Sequence, residues 1–199
     1  MKRVLLFALA MLTVSPFVIA KKKLPVPNPA AEIHWITSID ELQAKMQQSP
    51  KKVFFDIYTN WCGWCKKMDA ATYTNPDVIK YINLNFYAVR LDAERQDVIH
   101  YQGKEYKFEP EHRMNGFAYE LLKNSPGGNI SYPTSVIMLE NFQNPTPIPG
   151  YMDVSQLETV LTFFGDNTFK HKQWPDHQKT YKPMWSHGAT PDMTPPPAH

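Results

Sequence analysis

Cys62 and Cys65 are the only cysteines in the 199-residue chain, and they stand three positions apart in Trp61-Cys62-Gly63-Trp64-Cys65-Lys66. An apolar run at 53–58, broken by the single carboxylate Asp56, leads into them. The pair therefore sits where a buried strand gives way to a helix. On a helix N-terminus, two cysteines at this spacing are close enough to close a small disulfide ring. Cys62 would face the positive end of the helix and its unpaired N–H groups, which stabilise a thiolate. That makes Cys62 the expected nucleophile. Cys65, one turn inside and more buried, would keep a higher pKa and act as the resolving thiol.

Other chemistries compete poorly for this pair. A zinc site needs more ligands than one CxxC supplies; there is no second cysteine pair, and the nearest histidine in sequence, His34, lies outside the unit. Lys66 stands where c-type haem attachment requires a histidine. A purely structural disulfide around so small a loop would constrain little of the unfolded chain. Redox exchange is the favoured reading, with neither metal nor cofactor expected. Asp56 carries two readings. A carboxylate in an apolar strand either finds structural partners or keeps its proton with a raised pKa. In the second case it is a candidate proton acceptor for Cys65, acting through water.

The elements that must position these residues read as an α/β chain. Ser38 and Glu41 form a capping-box pattern for a helix over roughly 38–48, stopped by Pro50. Residues 53–58 have the length and continuity of a strand buried on both faces. A helix should run from the cysteines toward Tyr73. Asn75-Pro76-Asp77 opens another, with Val78, Ile79, Ile82 and Leu84 for its buried face. Residues 86–91 form the next strand, so that strand, helix and strand make a parallel crossover. Alternation around Gly103 predicts a hairpin over 98–108. A helix over 115–123 follows, then Tyr132-Pro133-Thr134 leads into a strand at 135–139. A short edge strand is expected at 148–151, at an edge because proline cannot donate to a ladder. Asp153 caps a last helix that carries Leu157, Val160, Leu161 and Phe164, with Gly165 as its stop.

Composition bounds the rest. At 43% apolar and 20% charged residues the chain can bury a core, which excludes disordered, collagenous and multi-span membrane classes. Lys2, Arg3, an apolar stretch at 4–12 and Val18-Ile19-Ala20 read as an export signal over residues 1–20, cleaved after Ala20. The alternative is an uncleaved anchor, kept open by Lys21-Lys22-Lys23. Either way the folded part is expected outside the cytoplasm, periplasmic or otherwise extracytoplasmic, in an oxidising compartment where a lone cysteine pair carries chemical meaning. Without Lys2 and Arg3, the 21 basic residues fall to 19 against 19 acidic ones, and a neutral chain offers no footprint for nucleic acid. The expected organisation is a signal at 1–20, a linker at 21–33, a folded domain at 34–166 with an insert at about 93–112, and an extension at 167–199. In that proline-rich extension Trp174, Tyr181 and Trp185 are the candidates for pinning it to the domain. Its histidines His171, His177 and His187 are expected to be solvated rather than metal-bound, and its last ten residues disordered.

The block Phe55-Asp56-Ile57-Tyr58-Thr59-Asn60-Trp61-Cys62-Gly63-Trp64-Cys65-Lys66 resembles the active-site block of the thioredoxin superfamily, and Tyr132-Pro133-Thr134 resembles that superfamily's cis-proline loop. The chain is similar to secreted bacterial thioredoxin-like proteins and, in its middle, to the C-terminal domain of the thiol:disulfide interchange protein. The resemblance implies a thioredoxin fold, a central mixed sheet flanked by helices, with the hairpin as an insertion and a proline-rich tail. It also implies Cys62 as attacking thiol, Cys65 as resolving thiol, Asp56 as buried acid/base and Pro133 as substrate-binding cis-proline. Trp61, Gly63, Trp64, Tyr132 and Thr134 would join Pro133 at the substrate surface. Arg90 would stand where a lysine neighbours the buried aspartate. Gly63-Trp64 departs from the family's Gly-Pro, and the intervening pair helps to set redox potential.

These readings lead to an extracytoplasmic thiol–disulfide oxidoreductase acting on protein disulfides, reductase rather than oxidase. No nucleotide-binding glycine motif is present, so electrons would come from a thiol-donating redox protein, membrane-bound or soluble. The alternative is a binding module that presents the Pro133 loop and the insert to a protein partner without turnover. Tyr101, Tyr106 and Phe108 of the insert would serve such a partner as anchors; the competing expectation is that they pack the insert onto the body.

Overall fold

The computed structural model describes residues 32–140 and 142–185. The expected signal, most of the linker, His187 and the expected disordered end lie outside the described residues. In chain order the elements are β1 (Trp35–Ile36), α1 (Ile39–Gln48), β2 (Lys52–Tyr58), α2 (Gly63–Ala71), α3 (Pro76–Asn85), β3 (Phe86–Asp92), β4 (Ile99–Tyr101), β5 (Lys104–Tyr106), β6 (Phe108–Glu109), β7 (Met114–Asn115), α4 (Gly116–Leu122), β8 (Thr134–Met138), β9 (Thr146–Pro149), α5 (Val154–Gly165) and α6 (Trp174–Thr180).

Helix starts follow their caps. Side-chain oxygens of Ser38, Asn75, Asn115 and Asp153 accept the first free N–H groups of α1, α3, α4 and α5. Asp153 and Gln156 complete a reciprocal capping box. One sheet of five strands runs in the order β1-β3-β2-β8-β9. β1 and β2 lie parallel to β3, whereas β8 is antiparallel to β2 and β9 to β8. This is the mixed, helix-flanked sheet that the resemblance implies.

Central strand β2 divides the core because successive side chains point to opposite faces. Phe55 and Ile57 join Leu42, Met46 and Phe117 on the α1 and α4 side. Phe54 joins Met68, Val78, Ile82 and Leu157 on the α2, α3 and α5 side. Asp56 has the parity of Phe54, so it enters the second layer.

Several expectations need correction. Leu84 is 66% exposed, because the buried stripe of α3 is Val78, Ile79 and Ile82 and position 84 falls off it at 3.6 residues per turn. Gly165 is the last residue of α5, as expected of its stop, but it is itself helical, and a Cβ there would collide with the Tyr81 ring. Asn167 takes the left-handed conformation instead, with φ 60°. The edge strand begins two residues earlier than expected, and β1 on the other edge is too short to leave a periodic signal. The hairpin forms with the two-residue turn Gln102-Gly103, both at positive φ, but Phe108 leaves it to pair with Asn115 in a second small ribbon. Tyr101 and Tyr106 pack on Phe117 at ring separations of 4.9 and 5.4 Å, so these anchors hold the insert to the body.

The stretch after α5 is also pinned. Glu158, fully buried in α5, accepts hydrogen bonds from Tyr181 Oη (2.8 Å), Met184 N (2.8 Å) and Trp185 N (2.9 Å). His177, expected in solvent, is buried against Phe163 and Tyr181, with Nε2 3.1 Å from the Thr159 carbonyl oxygen. Trp174 contacts Phe163 and Trp185 contacts Tyr81.

Candidate active site

Strand β2 ends at Tyr58, and the Thr59 carbonyl accepts the Cys62 N–H at 3.2 Å, turning the chain into α2. Cys62 is the N-cap of that helix. Its Sγ accepts a hydrogen bond from Cys65 N–H at 3.0 Å, so the sulfur stands at the positive end of the helix dipole. No acidic residue lies in the first turn of α2 to oppose that field. Cys62 and Cys65 are joined in a disulfide. Both cysteines are buried, Cys62 at 4% exposure and Cys65, expected to be the more buried, at 3%.

Asp56, six residues before Cys62, is 2% exposed and faces the α2 layer. Tyr73 Oη donates to its Oδ1 at 3.2 Å. Arg90, its register partner on β3, brings Nε to 3.6 Å from Oδ2 while giving its Nη2 hydrogen bond to Asp69 Oδ2 at 2.6 Å. Burial is the largest influence on Asp56 and pushes its pKa from 3.8 up to about 7, against the opposing pull of Arg90. The sequence reading placed Asp56 and Arg90 together but missed Tyr73 and Asp69. Asp69 was legible in principle, one helical turn beyond Cys65; nothing local marked Tyr73.

Pro133 lies at the same end of the sheet. The Tyr132–Pro133 peptide is cis, Thr134 pairs with Ile57 of β2, and the buried Pro133 gives its carbonyl to Gly150 N–H at 2.8 Å. Trp61 is 60% exposed and meets Tyr132 edge to face at 5.9 Å, its indole N–H held by Glu94 Oε1 at 2.9 Å. On the other side Trp64 meets Tyr151 at 5.4 Å, with Lys67 Nζ 4.8 Å from the Trp64 ring centroid. Gly63 is the first residue of α2. All the residues expected at the substrate surface thus gather around the disulfide end of β2 and β8. In the insert, Glu109, Glu111 and His112 bring ligand atoms within 4.8 Å of one another, though His112 is already stacked on Tyr119.

A disulfide-bonded cysteine pair at the start of the helix after the central strand, opposite a strand that follows a cis-proline, is the arrangement that defines the class of thioredoxin-fold proteins. Within that class it is similar to the interchange proteins. The family model Thioredox_DsbH, described as "Protein of unknown function, DUF255", matches residues 12–107, just under half of the chain. Over 52 residues the chain is 38% identical to the thiol:disulfide interchange protein DsbD of Haemophilus ducreyi, a match covering 26% of this chain and 9% of that protein. Among solved structures, a DsbH oxidoreductase superposes with TM-score 0.47 at 15% identity, covering 77% of this chain and 95% of the other. The oxidised C-terminal domain of Neisseria meningitidis DsbD gives 0.40 at 22%, covering 67% and 98%. A thioredoxin-fold protein from Helicobacter pylori gives 0.42 at 19%, covering 73% and 82%. These superpositions are too distant to add to the fold, which the sheet order itself defines.

Proposed function

We propose that the protein is an extracytoplasmic thiol–disulfide oxidoreductase that reduces protein disulfides. The observation that carries this reading is the Cys65 N–H hydrogen bond onto Cys62 Sγ at the start of α2, which favours negative charge on that sulfur. In the reduced protein the Cys62 thiolate attacks a substrate disulfide; a new S–S bond forms and one substrate thiolate leaves. Cys65 then loses its proton to Asp56 through a bridging water and attacks Cys62 Sγ. The mixed disulfide breaks, the second substrate thiolate leaves, and the protein retains the Cys62–Cys65 bond. Two electrons have passed to substrate, and a thiol-donating redox protein must return them. An acid near pH 7 is suited to this exchange because it can hold or release a proton under working conditions.

Trp61, Gly63, Trp64, Tyr132, Pro133 and Thr134 form the surface for the substrate chain. The reductase direction is supported by Gly63-Trp64, which adds no positive charge to overstabilise the thiolate. Location outside the cytoplasm is supported by the basic and apolar pattern of residues 1–20 and by the similarity to an interchange protein. Among the described residues, no helix is long and apolar enough to cross a membrane.

Cys65→Ser tests the mechanism. It should freeze mixed disulfides at Cys62 that dithiothreitol releases, and an absence of adducts in extracytoplasmic extracts would overturn the reading. Equilibration with glutathione tests direction: a potential close to the roughly −270 mV of thioredoxin is expected, and one near the roughly −120 mV of strong oxidants refutes the reductase assignment.

A further inference from the structure

We propose that Asp69 is a positioning residue of this site: by holding the fork of Arg90 it keeps that cation from closing on Asp56 and so sets the pH range over which Asp56 ionises. The inference rests on the reading of Asp56 as the site's acid/base.

A guanidinium engages a carboxylate best through two parallel N–H bonds at about 2.7–2.9 Å. Arg90 makes that quality of contact with Asp69 at 2.6 Å, whereas its approach to Asp56 is 3.6 Å, beyond the reach of an N–H hydrogen bond. Its plane is steadied by the rings of Tyr58 and Trp35, 4.6 and 5.9 Å away. Asp56 is left with one hydrogen bond, from Tyr73, for a carboxylate inside an apolar layer. The charged and titratable groups facing it are Arg90 from β3, Asp69 from α2, Tyr73 from the α2–α3 connection and Tyr58 from its own strand. Asp69 acts on it twice in the same direction, as a nearby anion and as the competitor for Arg90. Asp69 is also one helical turn beyond Cys65 on α2, so the competitor is built on the helix that carries the thiols.

The test is a carboxyl carbon-13 titration of Asp56 in the disulfide-bonded protein, where neither cysteine titrates, with Asp56→Asn identifying the resonance. In Asp69→Asn the midpoint should fall by one pH unit or more, a tenfold or larger rise in the dissociation constant, because Arg90 is free to turn onto Asp56. Asp69→Glu, which keeps the competitor, should hold the midpoint close to that of the unmodified protein. A midpoint unmoved in Asp69→Asn, even with a lowered melting temperature, overturns the proposal and leaves Asp69 a purely structural partner. Equal falls in Asp69→Asn and Asp69→Glu also overturn it. The function of Asp56 is judged separately, by the pH profile of ring closure from a glutathione adduct on Cys62. If Asp56→Asn leaves that profile unchanged, the acid/base reading fails, while a midpoint shift in Asp69→Asn still upholds the hold on Arg90.

Discussion

Asp56 and Glu158 are both carboxylates enclosed in the same apolar layer, at 2% and 0% exposure, yet their surroundings differ in kind. Glu158 collects a tyrosine hydroxyl and two backbone N–H groups, all from the stretch after α5. Asp56 has one tyrosine hydroxyl and a cation that is committed elsewhere. A buried carboxylate costs little once donors replace its water, and it then works as a strut. Left short of donors, it stays close to its neutral form and becomes a group that can take and release a proton. The shortage at Asp56 lies on the side of the sheet covered by α2, the helix that carries the disulfide, and the abundance at Glu158 secures the tail.

The largest expected effect is on pH dependence. Asp56 moves from 3.8 unfolded to about 7 folded. With the folded pKa raised, its contribution to stability is complete below about pH 4 and is lost as pH rises through 7; at ~1.4 kcal/mol per pH unit the change is roughly 4 kcal/mol. Urea melts of Asp56→Asn from pH 4 to 8 should therefore be flatter than those of the unmodified protein by about that amount; an unaltered slope breaks the contrast on the Asp56 side. Glu158→Ala comes next. It removes the acceptor that three donors share, and should cost about 3 kcal/mol in denaturant melts while leaving the reaction of Cys62 with disulfides unchanged at temperatures where the fold is intact. A loss of reactivity equal to that of Asp56→Asn would show that the two carboxylates do not divide structure from chemistry. Tyr181→Phe removes one donor of Glu158 and should cost about 1 kcal/mol. Smallest is Tyr73→Phe: its hydroxyl lowers the Asp56 pKa, so the titration midpoint should rise by less than one pH unit. A fall there would mean that Tyr73 serves the protonated acid instead.

Much of this was legible along the chain. Caps at Ser38, Asn75, Asn115 and Asp153 are local, since a side chain reaches N–H groups two or three residues ahead, and each helix begins where its cap directs. The Gln102-Gly103 turn, the double burial of β2 and the Cys62 cap on α2 are equally short-range. Leu84 shows where local reading misleads: an apolar residue just off the helical stripe faces water. His177 was assigned to solvent on the composition of its segment. The cue to the contrary was Glu158, the single charged residue of α5, which had to be paired with something.

By itself, then, the sequence determined the cysteine pair, the strand and helix that present it, the buried acid on that strand and the proline loop that returns at the same end of the sheet. Each of these depends on contacts a few residues long or on the type of residue at one position. Tertiary structure alone decided how acidic Asp56 would be and what would hold the tail. Asp56, Asp69, Tyr73 and Arg90 come from β2, α2, its exit loop and β3. They converge only after strand register and helix placement are set. Whether Arg90 reaches Asp56 or stops at Asp69 is a matter of about one ångström, and that distance belongs to the assembled layers rather than to any stretch of chain.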